Sequence, residues 1–340
     1  MSTPDFRSIR RVAVDRAADE RVEQTLLIAG SRLPCLFRSG SAGLRLADWA
    51  GARRDVIDAA LHSSGGALFR GFAVTGPDDF HAFMEAVCGE LLEYKYRSTP
   101  RREVTARLYT STEYPAGETI PQHNEMAYTN EWPLRIAFYC QQAAAEGGET
   151  PLSDSRRVLA RLRLDVIARF RSAGVRYVRN YGLGLDLSWH TVFQTEDRTE
   201  VERQCHERGI ECEWDGDRLR TTQVCQALAR HPVTGEDVWF NQAHLFHVSS
   251  LGAEMQAEML SVLDEANLPR NAFYGDRSPI EPEVLDHIRG AYASETVAFP
   301  WQEGDVLLLD NMLAAHGRRP FRGARRVLVA MAQAVSPATP

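Results

Sequence analysis

Gly304-Asp305-Val306-Leu307-Leu308-Leu309-Asp310-Asn311-Met312-Leu313-Ala314-Ala315-His316-Gly317-Arg318 reads as a buried strand that stops at an Asp-Asn pair, with a histidine just beyond it. Functional groups gather at such rims, where the chain leaves regular structure. Similar short runs recur on either side: Ala67–Phe72, Arg135–Cys140, Val175–Val178, Val238–Phe240 and Val327–Met331. They are rich in β-branched and aromatic residues and bounded by Gly, Pro and Asp, which is the signature of strands. Two hairpins are expected, at Trp214–Thr221 and Arg230–Phe240, because Asp-Gly and Thr-Gly accept the positive φ of tight turns. Four apolar stripes at helical spacing lie between the strands. They run through Phe80–Leu92, Val158–Phe170, Met255–Leu263 and Val284–Tyr292, and all four are expected to face a core. Strands with helices packed outside, without regular alternation, indicate an α+β chain built around a β-sandwich or barrel.

Composition narrows the function without naming it. At 340 residues, 44% hydrophobic and 25% charged, the chain is an ordinary globular protein. A net charge of −7 argues against nucleic acid or an anionic membrane as partner. The N-terminus has no apolar signal segment, and no apolar run approaches the roughly 20 residues that span a bilayer. Six cysteines without any C-x-x-C spacing are expected as reduced thiols in the cytoplasm.

The chemistry points to Pro121-Gln122-His123-Asn124-Glu125-Met126. In an extended segment, side chains two apart share a face, so His123 and Glu125 aim at one point and Asn124 aims away. One imidazole and one carboxylate are two of the three ligands of a facial triad, which leaves half of an octahedral iron(II) open. His316 is the candidate third ligand. An H-x-E triplet is short, and a basic pair ten residues on adds weight to it. Arg325-Arg326 opens the apolar run Val327–Met331, and an arginine there is costly unless it meets an anion. Alternation puts Arg326, Leu328 and Ala330 on one face and Arg325, Val327 and Val329 on the other, so one arginine can turn inward. The only other histidine cluster, His244 and His247, is expected to be structural.

These residues resemble the TauD/TfdA-like iron(II)/2-oxoglutarate dioxygenases, in particular their SyrP-type and clavaminate-synthase-like branch. The resemblance runs from about Ala67 to Met331. It rests on FRGF (Phe69–Phe72), PQHNE (Pro121–Glu125), GGETPLSD (Gly147–Asp154), GDVLLLDN (Gly304–Asn311), HGR (His316–Arg318) and GARRVLVAM (Gly323–Met331). It implies a double-stranded β-helix (jelly-roll) core with flanking helices in a single domain over 1–340. Residues 1–65 would be an N-terminal helical and strand extension, 66–335 the core, and 180–300 an insertion forming part of the active-site cover. It also implies Fe(II), 2-oxoglutarate and O2 as cofactor and co-substrates. His123, Glu125 and His316 would hold the metal, with Arg326 and Thr150 on the distal carboxylate of 2-oxoglutarate.

Glu125 departs from the H-x-D of many members but matches the clavaminate-synthase-like branch. A retained carboxylate disfavours halogenation, and Ala330, where taurine-type enzymes carry an arginine, disfavours taurine. The implied reaction is hydroxylation of an amino acid, free or carried on a carrier protein, in natural-product biosynthesis. Desaturation, epoxidation or cyclisation would use the same site. Asn124, Asn241, Gln242 and Arg318 are candidate substrate contacts. Two readings of other classes are a non-catalytic cupin-like metal module and a zinc hydrolase. The first does not explain Thr150 with Arg326, and the second needs a water-activating base.

Overall fold

In a computed structural model, which describes residues 22–41, 43–94, 102–105, 107–111 and 114–336, the apolar runs become the inner strands of an eight-stranded sheet. Its strands are β1 (Val22–Ile28), β2 (Ser31–Ser39), β3 (Gly66–Arg70), β4 (Glu103–Thr105), β5 (Leu108–Thr110), β7 (Trp132–Gln142), β13 (Val306–Asp310) and β15 (Arg326–Val335). Their spatial order is β1-β2-β3-β13-β7-β15-β5-β4, with β2 and β3 parallel and the other neighbours antiparallel. Residues 22–64 are therefore part of the main sheet and its helical cover.

The central strands are buried on both faces, and period-two alternation divides their side chains. Phe69, Ala137, Tyr139, Leu308, Leu328 and Ala330 pack on one side against α1 (Leu46–Gly51), α2 (Arg54–Ser64) and α3 (Pro77–Cys88). Leu68, Ile136, Phe138, Leu307, Leu309, Val327, Val329 and Met331 pack on the other side with Leu152 and Ala314. Leu152 belongs to β8 (Leu152–Asp154) and Ala314 to β14 (Ala314–Arg318). With β6 (Ile120–His123) they form a three-stranded sheet of order β6-β14-β8 that faces the large one. The functional residues lie between these two sheets.

A further four-stranded sheet, β10-β11-β9-β12, is built from β9 (Val175–Tyr181), β10 (Glu211–Asp215), β11 (Arg218–Cys225) and β12 (Arg270–Tyr274). It carries the first expected hairpin, with Asp215 opposite Arg218 and Gly216 at φ 57°. The second hairpin pairs Leu228–Arg230 with Asp237–Trp239. This part packs against the three-stranded sheet through Ala315, in a core it shares with α4 (Ser155–Arg161), α5 (Leu164–Ala173) and α8 (Pro282–Glu295). The chain is an α+β protein.

Two helical expectations are corrected. The stripe from Val158 to Phe170 is two helices, because the chain turns extended at Leu162 and the Arg163 N–H bonds to His287 Nε2 instead of a helical carbonyl. The stripe from Met255 to Leu263 forms α7 (Ala253–Val262) but buries nothing. Met255 is 50% exposed and Val262 74%. All six cysteines are free thiols. Among the described residues, no helix is long and apolar enough to cross a membrane.

Candidate active site

His123 ends β6 and stands directly opposite His316 on β14, so the two imidazoles meet across a strand pair with ring centroids 4.7 Å apart. Glu125 follows two residues on, and its Oε2 lies 3.8 Å from His316 Nε2. The ligand atoms of His123, Glu125 and His316 all lie within 4.8 Å of one another, and Glu125 and His316 are buried. His123 Nδ1 sits 2.8 Å from the Pro121 carbonyl oxygen, which can only accept. That nitrogen therefore carries the proton and Nε2 keeps its lone pair. The Phe138 ring packs 5.0 Å from that of His316. Two imidazoles and a carboxylate at this spacing suit a six-coordinate divalent metal with three positions left open.

A cavity beside the cluster is lined by Ser111, Ile120, His123, Phe138, Thr150, His316, Gly317, Arg318, Arg325 and Val329. Two guanidiniums face it and none of its lining residues is a carboxylate. Burial, with the like charge of Arg318 beside it, pulls Arg325 down to about 10, so it stays cationic at neutral pH in surroundings that disfavour a cation. Its Nε donates to the Gly148 carbonyl at 3.0 Å and its Nη1 to Ser111 Oγ at 3.4 Å. Gly147 and Gly148 are required here. Both have positive φ, a Cβ on Gly147 would lie 2.2 Å from the Pro320 carbonyl, and one on Gly148 would meet Arg325 at 2.9 Å. Thr150 is buried, and its hydroxyl accepts from Trp301 Nε1 at 3.2 Å.

The expectation for Arg326 is corrected. Arg326 is exposed, whereas Arg325 shares the inward face with Val327 and Val329. Likewise Ala330 packs toward the helices, and the cavity-side residue is Val329. An arginine is missing there in either case. Arg326→Ala is accordingly expected to leave 2-oxoglutarate affinity within about twofold in a titration, the scale of a surface substitution.

Three of the four candidate substrate contacts, Asn124, Asn241 and Gln242, are also corrected. Asn124 is buried and its Nδ2 donates to Ser155 Oγ and the Asn311 carbonyl. Asn241 bonds the backbone of Ala227 and Ala243, and Gln242 donates to the Asn124 carbonyl. These amides bond inside the protein and hold its framework, although the Asn124 Oδ1 is buried without a hydrogen-bond partner among the described residues. Arg318 lines the cavity, yet both its Nη atoms donate to the carbonyls of Tyr114, Pro115 and Glu118, which anchors the loop leading into β6. No described residue lining this cavity comes from 180–300, much of which packs in the core behind the three-stranded sheet.

His244 and His247 are structural. His244 Nε2 bonds the Gln122 carbonyl at 2.9 Å and the ring packs on Tyr292, while His247 Nδ1 pairs with Ser249. Burial, with Arg289 and His123 adding to it, lowers His244 to about 4, so the fold holds it neutral. The unfolded chain binds that proton from 6.5 downward, so its contribution is complete above pH 6.5 and falls away toward pH 4. The loss is about 3 kcal/mol. Urea midpoints measured across this window should slope less in His244→Gln than in the parent.

Sequence reading missed Arg325, Ser111, Trp301, and the pair Asp310-Asn311 as a support for the ligands. Two of these left a signal: the basic pair Arg325-Arg326, whose inward member alternation could not choose, and the polar pair Asp310-Asn311 at the end of a wholly apolar strand.

An α+β fold that gathers two imidazoles and a carboxylate beside paired arginines has the make-up of a metal-dependent oxygenase. The chain belongs to the family described as "Taurine catabolism dioxygenase TauD, TfdA family", whose model matches residues 32–332. It is a 2-oxoglutarate-dependent oxygenase that uses Fe(II) and O2. It is 45% identical over 282 residues to the dapdiamide synthesis protein DdaC of Enterobacter agglomerans, covering 83% of this chain and 86% of that one. A clavaminate synthase-like protein of Arabidopsis thaliana is 34% identical over 291 residues, with 82% and 84% covered. The fold is shared with PvcB of Pseudomonas aeruginosa, at a TM-score of 0.55 and 16% identity over 92% of this chain and 91% of that one. A taurine dioxygenase from Burkholderia xenovorans matches at 0.53 and 14%, over 94% and 96%.

Proposed function

We propose that this enzyme hydroxylates an amino acid, free or tethered to a carrier protein, in a biosynthetic pathway, within a double-stranded β-helix core. Its metal ligands are His123, Glu125 and His316. Arg325 and Thr150 hold the distal carboxylate of 2-oxoglutarate. The observation that carries the reading is the half-buried Arg325, which shares a cavity with His123 and His316 whose lining residues include no carboxylate. A guanidinium in that position is stabilised by a carboxylate that it can grip through two N–H groups. The chemistry that bound iron(II) supplies is dioxygen activation coupled to decarboxylation of 2-oxoglutarate. The chain's part is to orient the co-substrate, keep Nε2 of His123 unprotonated, and exclude water with Phe138 and Val329.

In this reading the substrate enters beside Met126, the residue after Glu125. A cavity of about 1080 Å³ opens there, lined in part by Met126, Trp132 and Met331, and residues 207–209 and Gln226 of the 180–300 segment form part of its wall. Met331 lies on the same strand face as Val329, which lines the cavity beside the cluster. The relatedness to a protein of dapdiamide synthesis supports a biosynthetic role. Six free thiols support a cytoplasmic location.

The test is mass spectrometry of amino acids, free and carrier-bound, incubated with the enzyme, Fe(II), ascorbate and 2-oxoglutarate. A gain of one oxygen matched by succinate supports hydroxylation. A loss of two hydrogens would replace it with desaturation or cyclisation, and succinate without any modified amino acid would refute the substrate class.

A further inference from the structure

We propose that Asp310-Asn311 is a yoke that aims two metal ligands from opposite ends of the chain: the Asn311 amide orients Glu125, and the turn held by Asp310 delivers His316. The inference rests on the reading of His123, Glu125 and His316 as ligands.

Glu125 lies beyond the end of β6 and has no strand neighbour of its own. The side chain of Asn311 takes that place. Its Oδ1 accepts the Glu125 N–H at 2.7 Å and its Nδ2 donates to the Glu125 carbonyl at 2.9 Å. One amide thus grips both main-chain polar groups of one residue, as an antiparallel strand partner does. The second Nδ2 proton goes to the Pro133 carbonyl at 2.9 Å. The main chain of Asn311 is tied as well, its carbonyl to Asn124 Nδ2 at 2.6 Å and its N–H to Leu134 at 2.8 Å. Asn311 is fully buried with its polar groups engaged. Met126, directly after Glu125, has φ 58°, a conformation that a non-glycine residue keeps only where its surroundings hold it.

Asp310 fixes the other ligand. Its Oδ1 accepts the N–H groups of Met312 and Leu313 at 3.1 and 3.2 Å, which sets the turn into β14, and His316 is the third residue of that strand. Its Oδ2 is held by Arg135 and by His231 Nε2 at 3.0 Å. His231 Nδ1 accepts from Val233 and Thr234, so Nε2 carries the proton toward Asp310. An apolar side chain could fill the space of Asn311, but it would leave the main-chain groups of Glu125 and Pro133 buried without partners. The carboxylate would then lose the direction that faces His316.

The experiment measures Mn(II) affinity of the full-length apoprotein by electron paramagnetic resonance of the free ion, with urea unfolding alongside. Asn311→Ala is expected to weaken Mn(II) binding about 10- to 100-fold, the range found for groups that orient metal ligands. Asn311→Ser, which keeps one hydroxyl, should fall between it and the parent, and it carries the measurement if the alanine variant does not fold. Asp305→Asn is the control, because it breaks a buried pair with Arg70 at the opposite end of β13. It should lower stability while keeping parental Mn(II) affinity. Asn311 variants that bind like the parent, or an Asp305→Asn loss of equal size, would overturn the yoke. Equal binding by the parent and His316→Ala would instead remove the ligand assignment, and the yoke with it.

Discussion

Replacing His316 by alanine is expected to reduce succinate formation to background and to weaken divalent-metal binding by more than the roughly 100-fold upper range for outer-shell groups. The reason is geometric. His316 supplies the imidazole opposite His123, and its Nε2 faces Glu125 at 3.8 Å. Without it one imidazole and one carboxylate remain, and two donors cannot define a face of an octahedron. The fold should survive, since the lost ring packs on Phe138 and His123 and the strand keeps its backbone pairing to Leu152. Metal content and succinate yield are the readouts. A variant that retains the parental stoichiometry and turnover would disprove the assignment.

The second large effect is expected from Arg325→Ala. Truncating one partner of a buried charge pair costs about 2–5 kcal/mol. Dissociation of 2-oxoglutarate should therefore weaken between roughly thirtyfold and several thousandfold at about 1.4 kcal/mol per decade. Metal affinity without the co-substrate should hardly change, because Arg325 bonds Gly148 and Ser111 and touches none of the three ligands. Measured beside Arg326→Ala, the experiment discriminates two adjacent arginines. If the Arg326 variant lost the co-substrate and the Arg325 variant kept it, the inward face of β15 would have been assigned wrongly.

That contrast marks how far the sequence could be read. His123 and Glu125 were legible because an extended segment puts every second side chain on one face, and the structure brings both to one point with His316. Alternation also separated Arg325 from Arg326. It could not say which face held the site, because the strand is buried on both faces: Leu328 and Ala330 meet helices, while Val327 and Val329 meet the second sheet. A strand covered on both sides has no polar face to betray its orientation. The same limit misplaced Asn124, Asn241 and Gln242. A polar residue near a functional segment reads as a ligand contact, whereas these amides satisfy buried backbone. The stripe of α7 failed for a related reason, since helical spacing of apolar residues records a face without saying what covers it.

The amino-acid sequence by itself determined the local facts: which runs are strands, which residue types can hold a divalent metal, and that two of them share a face. The tertiary structure alone decided the long-range ones, namely that His316 arrives opposite His123, that Asn311 grips Glu125 from 186 residues away, and that Arg325 turns inward. Periodicity is a property of neighbouring residues, whereas a metal site and its charge balance depend on which sheet faces which, and that is set when the layers pack.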